Sequence, residues 1–171
     1  MVIKIIFDIL CDGLFAAIAG IGFGAISNPP RRSFLYIGLL AALGHATRFC
    51  LMHYAAVDIT SASFIAGLVI GFFSVPFGRI SHSPASVLYI PALLPMIPGK
   101  FAYNTLFSIM KFLQTQNDTA LATEYLNKTF SNGFLAFSII FFLAVGATLP
   151  ALISPKRVYG MTRYLPKNKL K

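Results

Sequence analysis

Asp12, His45, Arg48, Lys100, Tyr103 and Asn104 stand in stretches of the chain that are otherwise apolar. An ionised side chain at the centre of a membrane helix costs about 2.5–3.5 kcal/mol even on the lenient insertion scale, so such residues are kept in pairs or along paths for ions and solutes. His45 and Arg48 are three apart and share one face of a helix. Asp12 is the carboxylate that can pair with Arg48 or Lys100 and so offset the burial of charge. Histidine is the side chain whose ordinary pKa lies nearest neutrality, which makes His45, with Asp12, a candidate proton carrier and Arg48 a partner in charge coupling. Two plainer readings stay open from the residues alone: a neutral hydrogen-bonding histidine, and a polar network that only fixes helix register. Asp8, one turn before Asp12 and nearer a helix end, is expected to reach the interface.

The second chemical feature is backbone. The apolar segment 85–113 is interrupted by Pro91, Pro95 and Pro98, followed by Gly99 and Lys100. Each proline lacks an N–H and frees a carbonyl about one turn earlier, here those of Val87, Pro91 and Leu94. In hydrocarbon, irregular backbone is tolerated only against protein or around a watery cavity, and transporters build substrate sites from such discontinuous helices. Pro98 suits the first turn of a second helical half. The N–H groups of Gly99, Lys100 and Phe101 would then lack partners and, with the Lys100 ammonium, offer a carboxylate-binding site shaped by Pro95 and Pro98. Tyr103 and Asn104, a turn further on, would add hydrogen bonds. A merely kinked structural helix is the alternative.

The elements that must position these groups follow from composition. The chain is 57% hydrophobic with 17 Phe, only 11% charged residues and a mean hydropathy of +0.75. A membrane span needs about 20 apolar residues, and five stretches qualify: 5–27, 33–54, 59–77, 85–113 and 131–153. The expected fold is all-α, a polytopic membrane protein in which residues 1–155 form five transmembrane helices with a proline-broken fourth, and 156–171 form a basic tail. The first stretch carries Asp8 and Asp12 and no small-x-small cleavage site, so it reads as a mature helix. Tight turns are expected at 28–32, 55–58 and 78–84. A long polar loop is expected over 114–130, with a helical turn or two near 119–126.

The net charge of +9 is not gathered on an amphipathic face with interleaved aromatics, which argues against nucleic acid. It follows topology. Arg31, Arg32, Arg79 and the tail fall on one side of a five-span path, whereas Lys4, Lys111 and Lys128 fall on the other. The positive-inside rule puts the amino terminus outside and the tail in the cytoplasm. A re-entrant 85–113 would reverse the tail, so this segment is expected to cross completely. At about 1.5 Å per residue, Asp12 lies roughly 10 Å below the outer end of its helix. By the same rise His45, Arg48 and Lys100 lie about 18, 22 and 22 Å above the inner ends of theirs. All four fall in one layer.

Small residues at four-residue spacing, Gly20 with Gly24 and Gly67 with Gly71, read as close internal helix packing, with an intersubunit face as the alternative. Cys11 and Cys50 form no CxxC and lack a third cysteine or clustered histidines, so no metal or other cofactor is expected. HExxH, GxSxG and paired acidic motifs do not occur, which argues against an enzyme. No internal repeat is visible, although transporters commonly surround a central site with two related halves. The other half is expected from elsewhere.

Gly44-His45-Ala46-Thr47-Arg48 and the run Ile90-Pro91-Ala92-Leu93-Leu94-Pro95-Met96-Ile97-Pro98-Gly99-Lys100-Phe101-Ala102-Tyr103, together with Asp12, Gly22-Phe23 and Asn28-Pro29-Pro30-Arg31, resemble the threonine/serine exporter family, specifically its small split-form subunit. The resemblance runs from about Ile6 to Ile153 and leaves out the basic tail. It implies a bacterial inner-membrane protein whose larger companion subunit supplies the other five helices. It also implies export of small hydroxy amino acids, coupled to protons, with C4-dicarboxylates such as succinate as the alternative solute. A non-transporting assembly subunit is the remaining reading. Lys100 stands where other members can carry an uncharged residue, which makes its role less secure than that of Gly99 or Tyr103.

Overall fold

The computed structural model describes residues 2–153, and the tail expected at 156–171 lies outside the described residues. The described residues form helices joined by short turns, without strands: α1 (Val2–Ile26), α2 (Ser33–Tyr54), α3 (Ile59–Ser81), α4 (Ala85–Leu93), a 3₁₀ turn (Leu94–Met96), α5 (Gly99–Gln114) and α6 (Thr119–Ile153). α1, α2, α3 and α6 are each long and apolar enough to cross a membrane. The pair α4–α5 meets at 55° and supplies a fifth span if counted as one. The protein is a polytopic, all-α membrane protein.

Chain chemistry sets the corners. α1 ends where Asn28 takes a left-handed conformation (φ 46°) before Pro29-Pro30, which cannot continue a helix. α3 ends at His82, also left-handed, with the Ser83 N–H donating to the Gly78 carbonyl at 2.9 Å. Both corners lie at one end of the bundle: the buried hydroxyls of Ser33 and Ser83 bond to each other at 2.8 Å. That end also carries Arg31, Arg32 and Arg79, all exposed.

At the other end Asp58 caps α3. Its carboxylate accepts the Ser61 N–H at 2.9 Å. This hydrogen bond, which only the ionised form accepts fully, holds the Asp58 pKa below the usual aspartate value. A depressed folded-state pKa means that the cap stabilises fully above the ordinary aspartate pKa and loses its contribution as the pH falls through the lowered value. Asp58→Ala is therefore expected to lower the melting temperature of the solubilised protein modestly at neutral pH. The difference from wild type should vanish in strong acid.

The core joins Ile37, Leu40 and Ala41 of α2 to Ala66 and Ile70 of α3, Leu88 and Ala92 of α4, Met96 of the 3₁₀ turn, and Ile139 and Leu143 of α6. The glycine pairs are internal. A Cβ on Gly67 would lie 2.8 Å from the Leu143 carbonyl oxygen, and one on Gly146 would lie 2.5 Å from that of Phe64. α3 and α6 thus touch through their backbones. Between α1 and α2 a Cβ on Gly20 would instead lie 2.7 Å from the Ala41 methyl.

The sequence-based loop 114–130 is largely absent. Only 115–118 connects α5 to α6, because Asp118 accepts the N–H groups of Ala120 and Leu121 at 3.1 Å and caps a helix that runs unbroken from Thr119 into the apolar stretch. Nothing in 127–131 interrupts helical hydrogen bonding, so the amphipathic first turns and the apolar span fuse. α5 differs from every other helix in having a single buried residue, Ser108. Tyr103, Leu106, Phe107, Met110 and Leu113 are all exposed along it.

Candidate functional site

α1 and α2 pack side by side and bring Asp12 against His45; α2 then passes the 3₁₀ turn at the break between α4 and α5. Close approach there depends on Gly44, whose absent Cβ would overlap Ile70 and stand 3.1 Å from the Met96 methyl. Along this seam runs a continuous polar chain. Asp12 Oδ2 lies 2.5 Å from His45 Nδ1, His45 Nε2 lies 3.1 Å from Arg48 Nη2, and Arg48 Nη1 donates to the Met96 carbonyl at 2.9 Å.

Donor counting fixes the protons. A guanidinium carries only donors and keeps its charge. His45 Nε2 must therefore accept from Arg48, which leaves the single ring proton on Nδ1, where it donates to Asp12. The arrangement is a carboxylate, a neutral imidazole and a guanidinium in series, ending on backbone. The side chains of His45 and Asp12 are 21% and 23% exposed, so the pair is sheltered but not sealed.

The direct pairing of Asp12 with Arg48 or Lys100 expected from sequence is replaced by this relay through His45, because the imidazole at the intervening position reaches both. Lys100 is exposed and takes no part. Pro95 and Pro98 are half-buried and buried, Gly99 is exposed with nothing within 4 Å of a Cβ placed there, and Asn104 is half-buried. Tyr103 points outward at 67% exposure and stacks on Phe107. Asp12, His45 and Arg48 thus converge on the break, whereas Gly99, Lys100 and Tyr103 are exposed.

The break meets most of its own backbone needs. The Pro91 carbonyl accepts the Leu94 N–H, and that of Leu94 accepts the Ile97 N–H at 3.1 Å. Gly99 N–H donates to Ile97 at 2.8 Å and Phe101 N–H to Pro98 at 3.1 Å, so two of the three amides expected to be free are satisfied locally. Tight 3₁₀ and γ-type bonds close more readily around these prolines than a spacing argument allows. Among the described residues the Lys100 N–H keeps no acceptor. The role of Arg48 toward Met96 was missed by sequence reasoning, which counted the carbonyls four residues before each proline. The signal was there in the estimated common depth of Arg48 and the break.

A family model described as Threonine/Serine exporter, ThrE matches residues 12–153. A Haemophilus influenzae protein described as an uncharacterized protein is 34% identical over 145 residues, covering 85% of this chain and 47% of the relative. The chain thus spans about half the length of that curated relative. No solved structure matches.

Proposed function

Because the chain belongs to the threonine/serine exporter family, we propose that it is one half of a secondary exporter that moves threonine and serine outward in exchange for protons. The observation that carries this reading is the Asp12–His45–Arg48 chain ending on the Met96 carbonyl, which joins a carboxylate–imidazole pair to the discontinuous helix among the described residues. His45 and Asp12 carry the proton. Pro95, Pro98, Gly99, Lys100, Tyr103 and Asn104 border the space that receives the solute carboxylate, with the Lys100 amide and ammonium as its donors. A companion polypeptide supplies five further helices and closes that space, in keeping with the twofold length of the Haemophilus relative and with the exposed apolar flank of α5.

In this reading α4 and α5 form a single crossing of the bacterial inner membrane. The end bearing Arg31, Arg32 and Arg79 faces the cytoplasm, as the positive-inside rule requires, and the amino terminus lies outside. The chain is a transport subunit and not an enzyme.

Gly99 tests the solute space. Because a Cβ there meets nothing within 4 Å, Gly99→Leu is expected to assemble with its companion and melt like wild type, yet to lower efflux at least about tenfold by occupying the path, the effect of about 1.4 kcal/mol. Efflux of labelled threonine, serine and succinate from proteoliposomes holding the complex is the measurement. Wild-type efflux of every solute from Gly99→Leu would remove the assignment.

A further inference from the structure

We propose that Arg48 is a positioning residue that holds the α4–α5 helix open, and that its grip is set by whether the imidazole of His45 carries one proton or two. The proposal rests on the reading of this cluster as the proton-carrying element of an exporter, and adds what the proton does.

With one ring proton, on Nδ1, every group in the chain has a partner: Nδ1–H donates to Asp12, Nε2 accepts from Arg48, and the other arm of Arg48 donates to Met96. A second proton can enter only at Nε2. It would then confront an Arg48 N–H across 3.1 Å, donor against donor and cation against cation. The imidazolium keeps its carboxylate, so the cheaper response is for Arg48 to withdraw. Withdrawal removes the donor from the Met96 carbonyl.

The freed carbonyl has a partner waiting. Met96 and Lys100 are four residues apart, the spacing of an α-helical hydrogen bond, and the Lys100 N–H is the amide at the break without an acceptor among the described residues. In the present arrangement that carbonyl accepts from Arg48 and not from the Lys100 amide. Once Arg48 lets go, closing the Met96–Lys100 bond carries the helix across the break, with Pro98 reduced to a kink, and decreases the 55° bend. Two arrangements of one hydrogen-bond set thus correspond to two helix shapes, the kind of bistable element that converts a local proton into a larger motion.

Few other groups can take over the titration. α1 presents Asp12, with Cys11 beside it and Asp8 a turn away; α2 presents Arg48 itself and, further along, Cys50 and His53, the last of which His45→Gln leaves in place as an internal control. α3 carries Arg79 in its last turn, α4 carries Tyr89, the 3₁₀ turn carries no ionisable residue, and Lys100 is exposed beyond the break.

The test is a spin-label distance between exposed positions on the two arms, Ile90 and Gln114, in the full complex with its companion, with Cys11 and Cys50 replaced by alanine and no solute present. Lowering the pH from about 8 to about 5, across the range in which histidines titrate, is expected to lengthen the distance by about 3 Å, from the helical rise of the two arms. His45→Gln, which offers one donor and one acceptor but takes no second proton, should stay at the short distance at every pH. Arg48→Met should stay at the long one. A distance that ignores pH in the wild type, or that responds identically in His45→Gln, overturns the clamp. Because solute is absent, a fixed distance in a complex that still exports refutes the clamp alone. A pH-responsive hinge in a complex that exports nothing supports the clamp and refutes the exporter reading beneath it.

Discussion

Arg48→Ala is expected to lower export per assembled complex by about ten- to hundredfold. The guanidinium makes two hydrogen bonds that nothing nearby replaces, to His45 Nε2 and to the Met96 carbonyl. Hydrogen bonds to a charged group are worth about 1.5–3 kcal/mol each, and each 1.4 kcal/mol is a factor of about ten. Part of that loss appears as instability, so initial efflux must be normalised to folded complex. Arg48→Lys is expected to fall between the two, since an ammonium keeps the charge but lacks the planar fork that reaches imidazole and carbonyl together. Full-rate efflux from Arg48→Ala would place the cluster outside the transport mechanism.

The largest structural effect is expected at the α3–α6 seam. Gly146→Val puts a Cβ 2.5 Å from the Phe64 carbonyl oxygen and 3.0 Å from the Leu68 nitrogen, so backbone and not a flexible side-chain end must give way. Overpacking of this kind costs about 1–3 kcal/mol or more. Here α6 must also part from Gly67 and Gly71 along the same contact. The expected outcome is a sharp fall in the yield of monodisperse protein and a lower melting temperature. Gly22→Ala is the control: Gly22 is exposed with nothing within 4 Å of a Cβ, and replacing a mid-helix glycine by alanine contributes about 0.5–1 kcal/mol of stability. Equal melting of Gly146→Val and wild type would show that the helices are not held by backbone contact.

Residue patterns made some of this visible and left some hidden, for physical reasons. The helices were legible because apolar length is imposed by the bilayer, and the break at Pro95 and Pro98 because proline removes a donor wherever it stands. The four-residue glycine spacing on α3 announced close packing, but its partner Gly146 on α6 is identified only by three-dimensional contact. Depth arithmetic brought Asp12, His45 and Arg48 to one layer. It could not order them, because whether an arginine meets a carboxylate directly or through an imidazole depends on rotation about the helix axis. Lys100 shared that depth and faces elsewhere for the same reason. The fusion of 119–130 with the last span was concealed by polarity: a helix leaving the bilayer changes solvent without changing its hydrogen bonding.

We propose that this chain, with a companion, carries solute outward by way of the polar chain at the broken helix. Efflux from proteoliposomes loaded with labelled threonine, serine or succinate measures it most directly, comparing this chain alone, the companion alone and the two together under an inward proton gradient. Rapid efflux of threonine and serine is expected from the paired proteins only, slowed at least about tenfold by Arg48→Ala, the equivalent of about 1.4 kcal/mol. Efflux that is the same with the companion alone, or unchanged in the paired Arg48→Ala complex, would contradict it.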